Sequence, residues 1–464
     1  MIKRLISKVF GGKKRRRDEP RIFKAGEHAI RHEDLSNAAL RVCEGLQREG
    51  YAAFIVGGAV RDLLLGRHPK DYDVATDATP EQVRGVFRRS RIIGRRFRLV
   101  HVMFGAETVE VSTFRAHHTN AEEHEGSSDE HGRLLRDNVF GNQQDDAIRR
   151  DFTINALFYD PERDEVWDYH DGMADLKAKK IVMIGDPEAR YREDPVRMLR
   201  AARLSAKLGF KIERKTEEPI ARLAPLLDNV PAARLFDEIL KLLLSGHSVE
   251  CIGRLRELGL HRGLLPVLDH VMEDAAAKRF LMLALERTDQ RIAQDRGVSP
   301  AFLFAALEWP RVVRRWNELI AAGNREVPAL HLAMDDVLDG QREALAVPRR
   351  LDVLIKELWV AQPRFLQRSG ARPYRLLTHP RFRACYDFFA LRAEAGDAPL
   401  ETAKWWERFQ DAGEEDREAM LHDDEEPRKK RRRRGKRSPG KAQGGADDRD
   451  NAAAHDGAEE RDQS

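Results

Sequence analysis

From Tyr51 to about Asp160 apolar and polar positions alternate in short runs, whereas from about Glu193 to Gln410 apolar residues recur every three or four positions. The first period belongs to strands and the second to amphipathic helices. YAAFIV (Tyr51–Val56) predicts a buried strand, GGAVRDLLLG a turn entering a short helix closed by Gly66, and DYDVAT the next strand. In ATPEQVRGVF, Thr79 is a natural N-cap, with Pro80 at the first helical position and Gln82 three residues after the cap. FRLVHVMF and TVEVSTF predict two strands around the turn GAE. Residues 116–136 are polar and aperiodic and predict a loop, and beyond Glu414 the loss of apolar residues predicts disorder. The fold class that follows is α+β: a small N-terminal α/β head with a mixed sheet, an all-helical body and a disordered basic tail.

With 464 residues, 41% of them hydrophobic, the chain has material for about three domains. Its three cysteines, Cys43, Cys251 and Cys385, lie far apart, which excludes a disulfide framework or a zinc ribbon and suits a reducing cytoplasm. No apolar run approaches the ~18 residues of a membrane span, and the first residues lack the apolar stretch of a signal peptide. A soluble, cytoplasmic protein is expected. The net charge of +4 conceals two dense basic blocks, Lys13–Arg17 and Arg428–Arg437, that suit polyanions as well as they suit a solubilising tail. In MIKRLISKVF the residues Ile2, Leu5, Ile6 and Val9 share a helical face, so peripheral contact with an anionic membrane is a second use of the N-terminus. Trp359, Trp405 and Trp406 fall in amphipathic stretches and read as packing residues or, alternatively, base-stacking platforms.

Candidate chemistry begins at KDYDVATDATPEQV. Asp71 and Asp73 lie one residue apart on a strand, pointing the same way about 6.5–7 Å apart, with Tyr72 and Val74 turned to the core. Like charges so placed repel unless a cation joins them, and hard divalent ions with oxygen ligands suit the pair. A loop aspartate followed by an exposed strand aspartate is the plain alternative. Gly57 and Gly58 sit between strand and helix, where backbone amides hold phosphate, though any tight turn also wants glycine. Arg61 lies just beyond, able to pair with phosphate oxygens or with Asp62. In ETVEVSTFR, Glu110 faces away from Val109 and Val111 and either completes a metal site or is an ordinary exposed glutamate. His117, His118, His124 and His131 in the polar loop offer metal ligands or solvated side chains.

VGGAVRDLLLG, KDYDVATDATPEQV and VEVSTFR, followed by RDNVFGNQQDDAIRRDFTINALFYD, EDPVRMLRAARLSAKLGF and NVPAARLFDEILKLL, resemble in order and spacing the class II branch of the nucleotidyltransferase superfamily. That branch holds the bacterial poly(A) polymerases and the CCA-adding tRNA nucleotidyltransferases. The likeness is dense over residues 50–250 and general in the helical remainder. It implies that Asp71 and Asp73 ligate two Mg²⁺ ions, with Asp151 of RRDFTIN as the further active-site acid. Read as one helix, RRDFTINAL sets Asp151 and Asn155 on a shared face, with Arg149 and Arg150 available to triphosphate or ribose. Asp194 is a sound N-cap before Pro195, and Arg197 lies on the same helical face. The resemblance further implies that Glu193, Asp194 and Arg197 read the incoming base in place of a template.

The expected function is template-independent addition of adenylates from ATP to RNA 3′ ends, marking RNAs for decay. The basic C-terminal extension and GRRFRLVHVMFG favour it over the CCA-adding alternative. A catalytically silent RNA-binding protein is a third reading, opposed by the intact DYD, GG and EDPVR. The expected organisation is a basic, flexible arm (1–34), a catalytic head (35–160), a helical base-recognition neck (161–250), a helical RNA-binding body (251–413) and a disordered tail (414–464). Expected partners are RNA, ATP and RNA-decay proteins, and the expected state is a monomer.

Overall fold

The computed structural model describes residues 19–94, 98–116, 139–262 and 274–421, together with residues 268, 271 and 272. The basic blocks, the N-terminal amphipathic segment and the four loop histidines lie outside the described residues.

The head is built on a sheet of eight strands among the described residues: β1 (Arg21–Phe23), β2 (Ala53–Val56), β3 (Asp73–Thr76), β4 (Ser90–Ile93), β5 (Leu99–Phe104), β6 (Glu107–Thr113), β7 (Leu157–Asp160) and β8 (Glu165–Asp168). Their order is β1-β8-β7-β2-β3-β6-β5-β4, with β3 and β6 parallel and the other neighbours antiparallel, so the sheet is mixed as expected. Period-two alternation divides the strand residues between two faces. Ala53, Ile55, Val74, Val100, Val102, Val109, Val111 and Tyr159 pack with the helix Asn37–Arg48. On the other face Phe54, Val56, Ala75 and Phe158 pack with Phe114 and Ala147. The strand is shorter than YAAFIV, since Tyr51 and Ala52 precede it half-buried, and its residues Ala53–Val56 are buried on both faces because β2 is central, which is why they read as a continuous apolar run. The helix Pro80–Val86 starts with the full capping box that Thr79 and Gln82 predict.

The expected boundaries shift in two places. Arg21–Phe23, in the stretch expected to be a flexible arm, pairs with β8, and the β7–β8 hairpin carries the sheet past residue 160. The stretch expected to be disordered from residue 414 begins with a helix, Glu414–Met420. Its charge hides it from hydrophobic periodicity, but tertiary bonds hold it. Trp405 Nε1 donates to the Met420 carbonyl at 3.0 Å, and Arg417 donates to the carbonyls of Phe409 and Gln410, each at 2.8 Å.

The body is helical, and one apolar core runs from Phe152 to Phe409, joining head to body. Trp359 and Trp406 are fully buried, and their indole N–H groups donate to the carbonyls of Ala305 and Phe365. These tryptophans are packing residues. They satisfy their polar edge internally, so no ring face is left for a base. The three cysteines are buried and unpaired, and no described helix is long and apolar enough to cross a membrane.

Glu308, on the helix Pro300–Ala321, is the least comfortable ion in this core. It is 3% exposed, and its partner is Arg311, whose Nη1 donates at 2.9 Å. Burial pushes its carboxyl up to about 7 although Arg311 opposes the shift. A pKa above the unfolded value means that the folded state binds the proton more tightly, so stability falls as pH rises from about 4.5 to about 7. Glu308→Gln should therefore stabilise the protein at about pH 8 by roughly 1–3 kcal/mol and lose that advantage at about pH 4. Denaturant midpoints at the two pH values check this, and an equal difference at both would refute the assignment.

Candidate active site

One row of residues in register crosses the whole sheet. Asp73 on β3 stands between Val56 on β2 and Glu110 on β6; beyond Val56 come Phe158 and Trp167, and beyond Glu110 come His101 on β5 and Arg91 on β4. The parallel pairing of β3 with β6 thus places two carboxylates on neighbouring strands about 4.8 Å apart, on one face. Asp71 precedes β3, separated from Asp73 by Tyr72, which is buried and donates its hydroxyl to the Asp34 carbonyl at 3.0 Å. Asp73 is open to solvent on one side and crowded on the other. Burial raises its carboxyl to about 6, Glu110 and Asp71 push the same way, and Arg150 opposes them. His101 Nε2 lies 3.2 Å from Glu110 Oε1.

Gly57 closes this site from the β2 side. Its φ of +75° is one that side chains rarely adopt, and a Cβ there would stand 3.5 Å from Arg150 Nη1 and 3.8 Å from Asp73 Oδ2. Backbone, aspartate and arginine therefore meet at the turn between β2 and the helix Gly58–Leu64. Arg61 is buried on that helix, and its guanidinium is 3.5 Å from where a Gly58 Cβ would be. It takes the pairing with Asp62, at 2.7 and 2.9 Å, and its Nη1 donates to Asn155 Oδ1 at 2.6 Å.

RRDFTIN is not one helix. The helix Gln143–Arg149 ends at Arg150, whose ψ of 161° is extended, and a 3-10 turn follows at Thr153–Asn155. Asp151 and Asn155 meet all the same, because the turn brings Asn155 Nδ2 to 3.1 Å from Asp151 Oδ1. Burial pushes Asp151 up, but Arg200, Asn155, the Phe152 N–H and Arg197 together hold its carboxyl below the usual range. Arg150 pairs with Asp146 at 2.9 Å and lies over the Phe158 ring, 4.9 Å from its centroid.

EDPVR also differs from its sequence reading. Asp194 is extended (φ −146°) and ends the helix Pro187–Glu193; its carboxylate caps nothing and accepts from Arg234 Nη2 at 2.7 Å. Arg197 turns to Glu193, at 2.8 Å, and to the Arg190 carbonyl. Asp194 Oδ1, Arg234 Nη1, Arg203 Nε and Glu238 Oε2 are buried without hydrogen-bond partners among the described residues. Orphaned buried polar atoms cost about 1–3 kcal/mol each, and gathered together they mark a place built to receive a polar ligand. Arg200 joins this cluster to Asp151, at 3.6 Å, and to Glu238, at 3.4 Å. Arg200 and Arg203 continue the three-residue spacing from Arg197 and were findable from it; Arg234 and Glu238 reach the site only through tertiary packing.

The donors suit a hard cation. Asp71, Asp73 and Glu110 offer oxygen ligands, and their mutual repulsion is what a divalent ion relieves. Among the described residues no three acid, histidine or cysteine side chains stand close enough to enclose a metal by themselves. Such an ion would need further oxygens from its substrate or from water.

Three family models match the chain: the Poly A polymerase head domain over residues 53–182, the probable RNA and SrmB-binding site of polymerase A over 209–272, and the polymerase A arginine-rich C-terminus over 322–438. Poly(A) polymerase I of Haemophilus influenzae is 47% identical over 416 residues, covering 88% of this chain and 92% of the relative. Poly(A) polymerase I of Escherichia coli O6:H1 is 48% identical over 405 residues, covering 86% and 87%. Among solved structures, the Bacillus stearothermophilus CCA-adding enzyme in complex with CTP aligns with a TM-score of 0.52 at 25% identity, covering 82% of this chain and 80% of that one.

Asn155 couples Arg61 to Asp151, so Asn155→Ala strands a buried guanidinium N–H and weakens the hold on Asp151. The expected cost is ~1–3 kcal/mol in denaturant unfolding. A loss below about 0.5 kcal/mol would mean that the link carries no load.

Proposed function

The chain belongs to the bacterial poly(A) polymerase family, and from that premise we propose that it is a template-independent polynucleotide adenylyltransferase, extending RNA 3′ ends from ATP. The observation that carries this reading is the span of the likeness: 47–48% identity through head and body alike, with an arginine-rich C-terminal match reaching residue 438. The CCA-adding neighbour shares the fold at 25% identity, and the tRNA-directed alternative is set aside.

Asp71 and Asp73, with Glu110 beside them, would hold two Mg²⁺ ions. When bound, these ions make the RNA 3′-hydroxyl more acidic and offset the charge of the departing pyrophosphate. Gly57, Gly58 and Arg150 form the triphosphate side, where the glycine turn gives close backbone approach and Arg150 adds charge. Arg61 acts from beneath that turn, since Asp62 and Asn155 already engage it. Asp151 positions Arg200. Glu193 and Arg197 hold each other in one geometry, and with the unfilled acceptor of Asp194 they present the edge that selects adenine. Residues 35–160 with the added strands serve as catalytic head, 161–250 as base-reading neck and 251–413 as RNA-binding body. The enzyme acts as a monomer whose products enter RNA decay, with SrmB-like protein contacts on residues 209–272. The N-terminal segment, at a membrane surface, and the basic tail, on RNA, are auxiliary contacts.

Purified protein given an unstructured oligoribonucleotide, Mg²⁺ and one nucleoside triphosphate at a time should grow long tails with ATP and add little with CTP. Addition of a few residues only, with strong preference for tRNA ending before CCA, would overturn the poly(A) reading. Asp73→Asn should abolish addition while keeping the thermal midpoint at or above wild type, because it removes one of three crowded carboxylates. Arg197→Ala should relax selectivity among triphosphates, and unchanged discrimination would assign Arg197 to structure alone.

A further inference from the structure

The face of the sheet that carries Asp73 has two unlike halves. Toward β2 and β7 it is covered by Phe54, Val56, Phe114, Ala147 and Phe158. Toward β6, β5 and β4 the in-register row continues with Glu110, His101 and Arg91, and Arg89 lies two residues before Arg91 on the same face. Arg89 lies at the bend that leads into β4, and its carbonyl accepts the Met103 N–H at 2.9 Å, which extends the ladder by one pair. Arg89 and Arg91 are exposed, and neither guanidinium has an ion-pair partner among the described residues.

The surrounding chain is one-sided in charge. Between Glu81 and Glu107 there is no acidic residue, and seven arginines occur: Arg84, Arg88, Arg89, Arg91, Arg95, Arg96 and Arg98. Of the described ones Arg98 is neutralised by Glu81. Unpaired arginines on an edge strand do nothing for the stability of the sheet beyond blunting its edge. Their fork of donors matches phosphate.

Their position decides which phosphates. β4 lies three strand steps, about 14 Å, from Asp73, too far for the triphosphate that Gly57 and Arg150 would hold on the opposite, β2 side. In an in-line displacement the attacking hydroxyl enters opposite the leaving pyrophosphate. The RNA must then come over β6, β5 and β4. Resting on the adenylyltransferase reading above, we propose that Arg89 and Arg91 form a track for the backbone phosphates of the RNA a few nucleotides before its 3′-hydroxyl, with single-stranded RNA as the occupant. The track directs the 3′ end along the row to Asp73 without reading bases, as a polymerase that accepts its own lengthening product requires.

The test uses the full chain and a fluorescent oligoadenylate, in three double variants of Arg89 and Arg91: both to Glu, both to Gln, and both to Lys. Anisotropy titrations from low to high salt give the slope of log affinity against log salt, and steady-state assays give KM for RNA and for ATP. For the Gln pair the slope should become shallower by about 1.4, two single-strand phosphate contacts at ~0.7 each. KM for RNA should rise while kcat and KM for ATP stay within about twofold. The Glu pair should bind more weakly still, and the Lys pair should keep the wild-type slope. Gln and Glu pairs with wild-type melting temperature, slope and KM for RNA would overturn the track. Binding is read without turnover: RNA affinity lost in these variants of a protein that adds no adenylates would leave the track standing and sink the adenylyltransferase reading instead.

Discussion

Parallel pairing of β3 with β6 is the constraint around which this molecule is arranged. It fixes Asp73 beside Glu110 with no freedom to separate, and burial together with the two neighbouring acids holds the Asp73 carboxyl near 6. A fold selected for stability alone would place an asparagine or a hydrophobic residue there. Here the strain is countered locally. Arg150 supplies an opposing charge, and Gly57 has no side chain, so guanidinium and backbone can approach together.

Behind that surface lies a chain of buried and half-buried polar groups, five of them charged: Asp62, Arg61, Asn155, Asp151, Arg200 and Glu238, each bonded to the next. Desolvating so many charges is costly, and replacing any single member leaves another unpaired. The chain crosses from the helix Gly58–Leu64 to the helices Val196–Leu208 and Ala232–Leu243, so it registers the glycine turn against these two helices. The apolar core from Phe152 to Phe409 carries the same connection without directional preference. Core packing supplies the cohesion, and the ions supply the alignment.

How much of this was legible in sequence depended on the range of the contact. Alternation placed Asp73 and Glu110 on a polar face, and the capping box at Thr79 could be read because both of its bonds close within three residues. The Asp151–Asn155 contact was expected for a mistaken reason: four-residue spacing suggested a helix, and a 3-10 turn gave the same proximity. Asp194 was misread as a cap because its true partner, Arg234, is forty residues away, and no local pattern announces such a pairing. The same limit hid Arg200 from Asp151. Glu414–Met420 was missed because its helix is held by Trp405 and Arg417 rather than by an apolar stripe.

The aromatic residues separate two ways of holding RNA. In the body Trp359, Trp405 and Trp406 are buried, their indoles engaged with main-chain carbonyls, so they are spent on cohesion between helices. What remains on the described surface for an anionic chain is chiefly arginine. Charge contacts to phosphate are blind to sequence and let a strand slide, whereas stacked bases hold a register. An enzyme that must release each new 3′ end by one nucleotide and grasp it again gains from the first kind of contact. Selectivity would then fall to a rigid place such as the one where Arg197 is locked to Glu193 and Arg234 to Asp194, and the RNA behind it need only be an acid.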